Sequence, residues 1–150
     1  MRIQMMKFVV AALACVVLVG CKNGGGSVFG SAEPVIILER VNGDSPALKE
    51  LGTMHITTKS KYEALGDANI FPGEINFFEH DLVIVALGER NTGGYSVDVE
   101  SIQKDGAELL VNGKVTTPAP DAATTQAITY PYTAVLVPNT GTDIIVPYID

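Results

Sequence analysis

From residue 30 onward, proline and glycine are spaced along the chain rather than clustered, and they cut it into short runs of β-branched and aromatic residues. Residues 21–150 contain 12 Val, 11 Ile, 12 Thr, 5 Tyr and 4 Phe, together 44 of 130 positions. Side chains branched at Cβ lose less freedom on a pleated surface than in a helix, so this composition favours strands. Short strands divided by turns pack as two layers or close on themselves. The expected fold is therefore all-β and mainly antiparallel. It is a small sandwich or partly open barrel of about seven or eight strands, with one or two short helices and no internal repeat.

Single elements can be placed on this frame. Pro34 to Val41 opens with Val-Ile-Ile-Leu and predicts a strand. Ser45-Pro46 offers a helix cap and a first-turn proline, with Gly52 as a stop, so this stretch can be a short helix or a structured loop. Met54 to Thr58 reads as a brief strand. Ser60 and Glu63 have capping-box spacing, which predicts a small helix over Lys61 to Leu65 ending at Gly66. Leu82 to Leu87 is continuously apolar and is expected to be the central buried strand. Tyr95, Val97 and Val99 alternate with Ser96, Asp98 and Glu100, the period of a half-exposed strand. Asp105-Gly106 then supplies a tight hairpin turn into Glu108 to Thr116, where Leu109, Val111 and Val115 share a face. Thr117 to Thr125 contains Pro118 and Pro120 and reads as an exposed loop. Gln126 to Ile128, Thr133 to Val137 and Ile144 to Tyr148 complete the strands.

The first twenty residues belong to a different problem. Arg2 and Lys7 precede an uninterrupted apolar run of 12 residues, Phe8 to Val19, and Leu18-Val19-Gly20-Cys21 closes it. Twelve residues are too few to span a bilayer as a helix, and the flanks are those of a secretory signal. Small residues directly before a cysteine resemble the lipobox of bacterial lipoproteins, in which that cysteine is acylated and becomes the new N-terminus. The expected organisation is a lipoprotein signal peptide at 1–20, a flexible Gly-rich tether at 21–33 and a single β-rich domain at 34–150. The resemblance implies that Cys21 is the lipidation site and that the chain is anchored rather than spanning. Lys22, where an aspartate would retain a lipoprotein at the inner membrane, points to the outer membrane of a bacterial envelope.

Beyond residue 20 the chain has 8 basic and 17 acidic residues, a net charge of −9. That argues against nucleic acid and against a basic membrane-binding face. With Cys15 in the signal and Cys21 acylated, no disulfide, cysteine zinc site or thiol nucleophile is expected in the domain. Only His55 and His80 carry imidazoles, too few for a His-rich metal site. His80, between Glu79 and Asp81, reads as part of a polar turn, and His55 as a structural residue. Nucleophile elbows, phosphate loops and His-Glu-x-x-His pairs do not occur. The expectation is a protein without catalytic residues, metal or cofactor.

Two segments stand out. Gly88 to Val97 contains Asn91, Thr92, Gly93, Gly94 and Tyr95 between two expected strands. Its glycines allow unusual backbone or close approach to a partner, Asn91 and Thr92 can brace the loop, and Tyr95 brings an aromatic body with a polar tip. Thr125 to Tyr132 contains Gln126 and sets Pro131 between Tyr130 and Tyr132. A cis bond there would make a sharp corner. Each segment can be read as a turn at a sheet edge or, together, as a binding loop beside an aromatic ledge. Thr140, in the Asn139-Thr140-Gly141 turn, is expected to be a silent surface position.

These same segments carry a resemblance. Leu82 to Leu87, then Gly-Glu-Arg-Asn-Thr-Gly-Gly-Tyr-Ser-Val over Gly88 to Val97, a hairpin, Thr-Gln-Ala-Ile-Thr-Tyr-Pro-Tyr over Thr125 to Tyr132, and Val135 to Pro138 follow one another in order. The stretch from about 77 to 138 resembles the C-terminal domain of the protease complex subunit PrcB family, with Asn91 where the family pattern leads one to expect proline. Thr58 to Leu65 is similar to the short capped helix preceding that core. The resemblance implies a secreted or lipid-anchored, non-catalytic protein-binding module that supports the assembly or stability of a protease. The partner it implies is an envelope protease or its substrate. Asn91 to Tyr95 is also similar, in part, to the Asn-Pro-Thr-Thr-Gly-Tyr loop of chagasin-type cysteine protease inhibitors, which implies the alternative of a protease inhibitor.

Overall fold

The computed structural model describes residues 32–150; the expected signal peptide, Cys21 and nearly all of the tether lie outside them. Eight strands and one short helix follow in order. They are β1 (Glu33–Val35), β2 (Glu39–Asp44), β3 (Leu51–Ile56), α1 (Lys59–Glu63), β4 (His80–Leu87), β5 (Ser96–Asp105), β6 (Glu108–Thr116), β7 (Pro131–Pro138) and β8 (Ile144–Ile149). They form two four-stranded sheets, ordered β1-β5-β6-β8 and β2-β7-β4-β3. Every pairing is antiparallel except β6 with β8. The sheets do not close into a barrel, and the fold is an all-β sandwich.

Between the sheets lie Val83, Val85 and Leu87 of β4, Val135 and Val137 of β7, and Val97, Val99, Ile102, Leu109 and Val111 from the facing sheet. The other face of β4 and β7 carries Leu82, Ile84, Ala86, Tyr132 and Ala134, roofed by Leu48, Ile70 and Phe71. A strand buried on both faces needs apolar residues at every position, which is why Leu82 to Leu87 is unbroken. In β5 the inward positions pass from Val97 and Val99 to Ile102, because a bulge between Val99 and Ser101 shifts the register by one residue.

The β5–β6 hairpin has Gly106 and Ala107 as its two loop residues, with Asp105 paired to Glu108. Gly106 alone takes positive φ, +58°, so the glycine opens the turn and Asp105 ends the strand.

Several expectations are corrected. Pro34 to Val41 is not one strand, since β1 pairs with β5 and β2 with β7 in the other sheet. The intervening residues carry the chain across while Val35 and Ile37 still reach the inter-sheet core. Of the two readings from Ser45 onward the structured loop holds: the Ser45 hydroxyl bonds Asp67 at 2.6 Å and accepts the Ala47 amide at 3.3 Å, and β3 begins at Leu51. Thr58, not Ser60, caps α1 by accepting the Lys61 amide, and Glu63 turns to Lys59 instead of back to the cap. Gln126 to Ile128 forms no strand; the chain there makes a single bridge, Arg90 with Thr129. The Tyr130–Pro131 bond is trans, since the described residues have no cis peptide bonds.

Candidate functional site

At the end of β4 the chain must leave one sheet and enter the other. Gly88 makes the exit at φ +69°, so close to the Leu51 amide and the Lys49 carbonyl that a Cβ would lie 2.7 Å and 2.9 Å from them. Only glycine fits such a backbone approach. The crossing, Glu89 to Tyr95, is then tied to the long excursion between β6 and β7. Arg90 and Thr129 exchange backbone bonds at 2.8 and 2.9 Å, the Gly93 amide donates to the Thr125 carbonyl at 3.0 Å, and the Thr129 hydroxyl donates to the Thr92 carbonyl at 3.1 Å. The two segments singled out in the sequence thus form one hydrogen-bonded surface.

Gly94 has φ +89°, and a Cβ on it would come 3.0 Å from Pro118 and 3.3 Å from Thr124. Both backbone and space require glycine there. Gly93 would press a Cβ against the Thr125 hydroxyl, a side chain that can turn away. Asn91 and Gln126 are exposed, while Thr92 and Tyr95 are half-buried. Tyr95 packs against the inter-sheet core, and the Arg90 guanidinium carbon stands 5.6 Å from its ring centroid.

The aromatic ledge is smaller than expected. Tyr130 stays at the surface, its hydroxyl donating to Glu89 at 3.0 Å and its amide to Asp44 at 2.6 Å. The Glu89 carboxylate accepting that proton, with a smaller contribution from burial, holds the phenol above its ordinary value. Pro131 and Tyr132 belong to the core instead. Tyr132 is only 5% exposed and donates to the Ile70 carbonyl at 2.9 Å. With β7 starting at Pro131, the alternation of the strand sends Tyr132 to the roofed face beside Ala134.

Three further features escaped the sequence reading. Arg90, inside the quoted motif, is half-buried and makes no ion pair among the described residues, and its Nε is buried without a hydrogen-bond partner. Thr53 Oγ1 is in the same condition. At the opposite end of β4, Asp81 is buried with His55 Nε2 3.2 Å from its Oδ2, and the same oxygen accepts the Thr140 amide and hydroxyl, both at 2.8 Å. Thr140, expected at the surface, is 7% exposed. Its hydroxyl is engaged by the carboxylate and not by the imidazole, so this cluster braces the turn after β7 and does not activate a nucleophile. Only a sequence signal for facing strands could have paired His55 with Asp81, and 25 residues of intervening chain hide it. His80 is half-buried at the start of β4. Among the described residues no three His, Cys, Asp or Glu side chains cluster closely enough to hold a metal ion, and no helix is long and apolar enough to cross a membrane.

Residues 82–138 match the family model described as PrcB C-terminal. No curated protein and no solved structure matches the chain. The matched span runs from the central strand β4 to the last residue of β7 and includes the Gly88–Val97 and Thr125–Tyr132 segments whole. Over Leu82 to Pro138 this chain is similar to the PrcB C-terminal family.

Proposed function

We propose that this protein is an outer-membrane lipoprotein of a bacterial envelope, anchored through Cys21, and that its sandwich is a non-catalytic protein-binding module serving as an accessory or stabilising subunit of an envelope protease. The observation that carries this reading is the bonding of the two family segments to each other through Arg90 and Thr129. A loop braced on a rigid sandwich presents its exposed residues in a fixed arrangement, so little ordering has to occur when a partner binds. Asn91, Thr92, Gly94, Gln126 and Tyr130 make up the proposed contact. An inhibitor of the chagasin type has to push a protruding loop into a cleft. The bonds at Arg90 and Gly93 hold this loop against 125–129, which favours the accessory role.

A photo-crosslinking residue at Asn91, in cells producing the full lipoprotein, tests the proposal. The expected product joins the protein to one envelope protease, and loss of the lipoprotein lowers that protease's abundance or maturation. Crosslinks to no protease, with protease levels unaltered, refute it. Stoichiometric inhibition of a purified papain-like protease would transfer the assignment to the inhibitor class.

A further inference from the structure

We infer that the groove between the free edges of β3 and β8 is a second binding site, one that captures the free C-terminal carboxylate of an extended apolar peptide. The inference rests on the reading of the chain as a protein-binding module and names a chemistry for its partner. β3 and β8 are each the outermost strand of their sheet and do not hydrogen-bond to each other. The groove they leave has a volume of about 540 Å³, with Leu51, Leu87, Val115 and Ile149 among its walls and Thr53 and Arg90 as its polar residues.

Both polar groups are left unsatisfied by the fold, as are His55 Nδ1 and Nε2 and Asp81 Oδ1 at the other end of β4. Thr53 Oγ1 and Arg90 Nε are both buried without a partner. The other arginine among the described residues shows the usual arrangement, Arg40 reaching Asp98 at 2.9 Å and the Val99 carbonyl at 2.6 Å. Among the described residues Arg90 has no such carboxylate, although acidic side chains are in excess. Asp150, next to the groove wall, is committed through its backbone to Gly113 and Val115. A planar guanidinium held against the Tyr95 ring offers a fork of donors that matches a carboxylate, and a hydroxyl can donate to the same anion. All else in the walls named above is apolar.

One charge on an otherwise apolar ligand describes the end of an apolar peptide. An internal Asp or Glu would need chain continuing on both sides of the carboxylate, whereas a terminus needs it on one. The outer edge of β3 supplies unpaired backbone groups for an extended chain to join. Gly52, the second residue of that strand, brings no side chain into the groove it lines.

The test uses the full chain purified in detergent and fluorescein-labelled hexapeptides ending in Val-Ile-Val, Val-Leu-Ala or Leu-Val-Phe, each as free acid and as C-terminal amide. Fluorescence anisotropy is expected to show saturable binding of at least one free acid, with its amide at least tenfold weaker. Arg90→Gln should weaken the free acid to the level of the amide. Arg90→Lys should recover part of the loss, since it keeps the charge without the fork. Thr53→Val, which keeps the shape, should weaken binding severalfold, and unchanged melting curves would show that the variants fold. Equal affinity for acid and amide, no effect of Arg90→Gln, or no binding by any peptide overturns the inference. Crosslinking through Asn91 reads the accessory role separately, so each proposal can fail without the other.

Discussion

Thr140 gives both its amide and its hydroxyl hydrogen to one oxygen of the buried Asp81, each at 2.8 Å. A hydrogen bond to a buried carboxylate contributes about 1.5–3 kcal/mol. Thr140→Val keeps the shape, removes one of these bonds and should lower the melting temperature by on the order of 5–10 °C. Asp81→Ala leaves both Thr140 donors without their acceptor and should cost about 1–3 kcal/mol for each group left unsatisfied. Thermal unfolding monitored by circular dichroism reads both. Wild-type melting by Thr140→Val would mean that the turn after β7 is braced by something else.

The proposed binding loop should separate from stability at Thr92. Its tie to the 125–129 segment runs through its carbonyl, which Thr92→Ala retains. Substitutions of this kind usually stay within about 0.5 kcal/mol, so melting should be nearly unchanged while partner capture weakens. Gly94→Ala should lose binding and also cost roughly 1 kcal/mol or more, because φ is +89° and Pro118 stands in the way. Full partner capture by both variants would reduce the loop to a connection between sheets.

How far the fold can be read from the chain depends on how local its causes are. Leu82 to Leu87 is legible because burial on both faces leaves no polar position, and the β5–β6 hairpin because Gly106 fixes its own turn. The site is legible only in part. Gly94 and the family pattern mark the loop, but Tyr132 has the same neighbours whether it faces solvent or core. Its direction is set by where β7 begins, at Pro131. Thr140 looks like a surface turn residue until β4 brings Asp81 beneath it. Arg90 stood inside the motif, and its lack of a carboxylate appears only once every acidic side chain has a position.

Alkaline titration should expose the Tyr130–Glu89 contact. The phenol is held above its ordinary value of 10.0, first by its hydrogen bond to Glu89 and then by burial. Because the folded state keeps this proton longer than the unfolded chain, the contribution to stability is complete below pH 10.0 and is lost as pH rises through the folded value. Phenolate absorbance of the wild type, less that of Tyr130→Phe, should show the late titration. Glu89→Gln should move it back towards 10.0. An unshifted difference curve would remove this contact from the description of the site.

Acid should act in the opposite sense at Asp143. The Lys61 ammonium at 3.2 Å, together with the Thr57 hydroxyl, holds this carboxyl below its ordinary 3.8. Here the unfolded chain takes up the proton first. The stabilisation is therefore present above pH 3.8 and declines as pH falls through the folded value. Melting temperatures followed downward from pH 5 should fall less steeply for Asp143→Asn than for the wild type. Parallel curves would show that the Lys61 contact carries no weight in solution.

Lipidation at Cys21 is the prediction on which the cellular reading depends. The apolar run Phe8 to Val19 is too short to hold the protein in a bilayer by itself, so removal of the signal without acylation would leave a chain with nothing to retain it. Acyl chains change that, at ~0.8 kcal/mol per buried methylene, and more than one chain makes release negligible. Residues 22–31, even fully extended, reach at most ~35 Å, so an anchored sandwich stays within about that distance of the membrane surface. Wild-type protein should fractionate with membranes, require detergent for extraction and take up a labelled fatty acid. Cys21→Ala should take up none and should either stay unprocessed or leave the membrane fraction, while its β-sheet circular dichroism is retained. Mass spectrometry of the mature protein decides the matter: an acylated Cys21 at the N-terminus is expected, and an unmodified cysteine or cleavage at another bond would remove the anchor and the outer-membrane assignment with it.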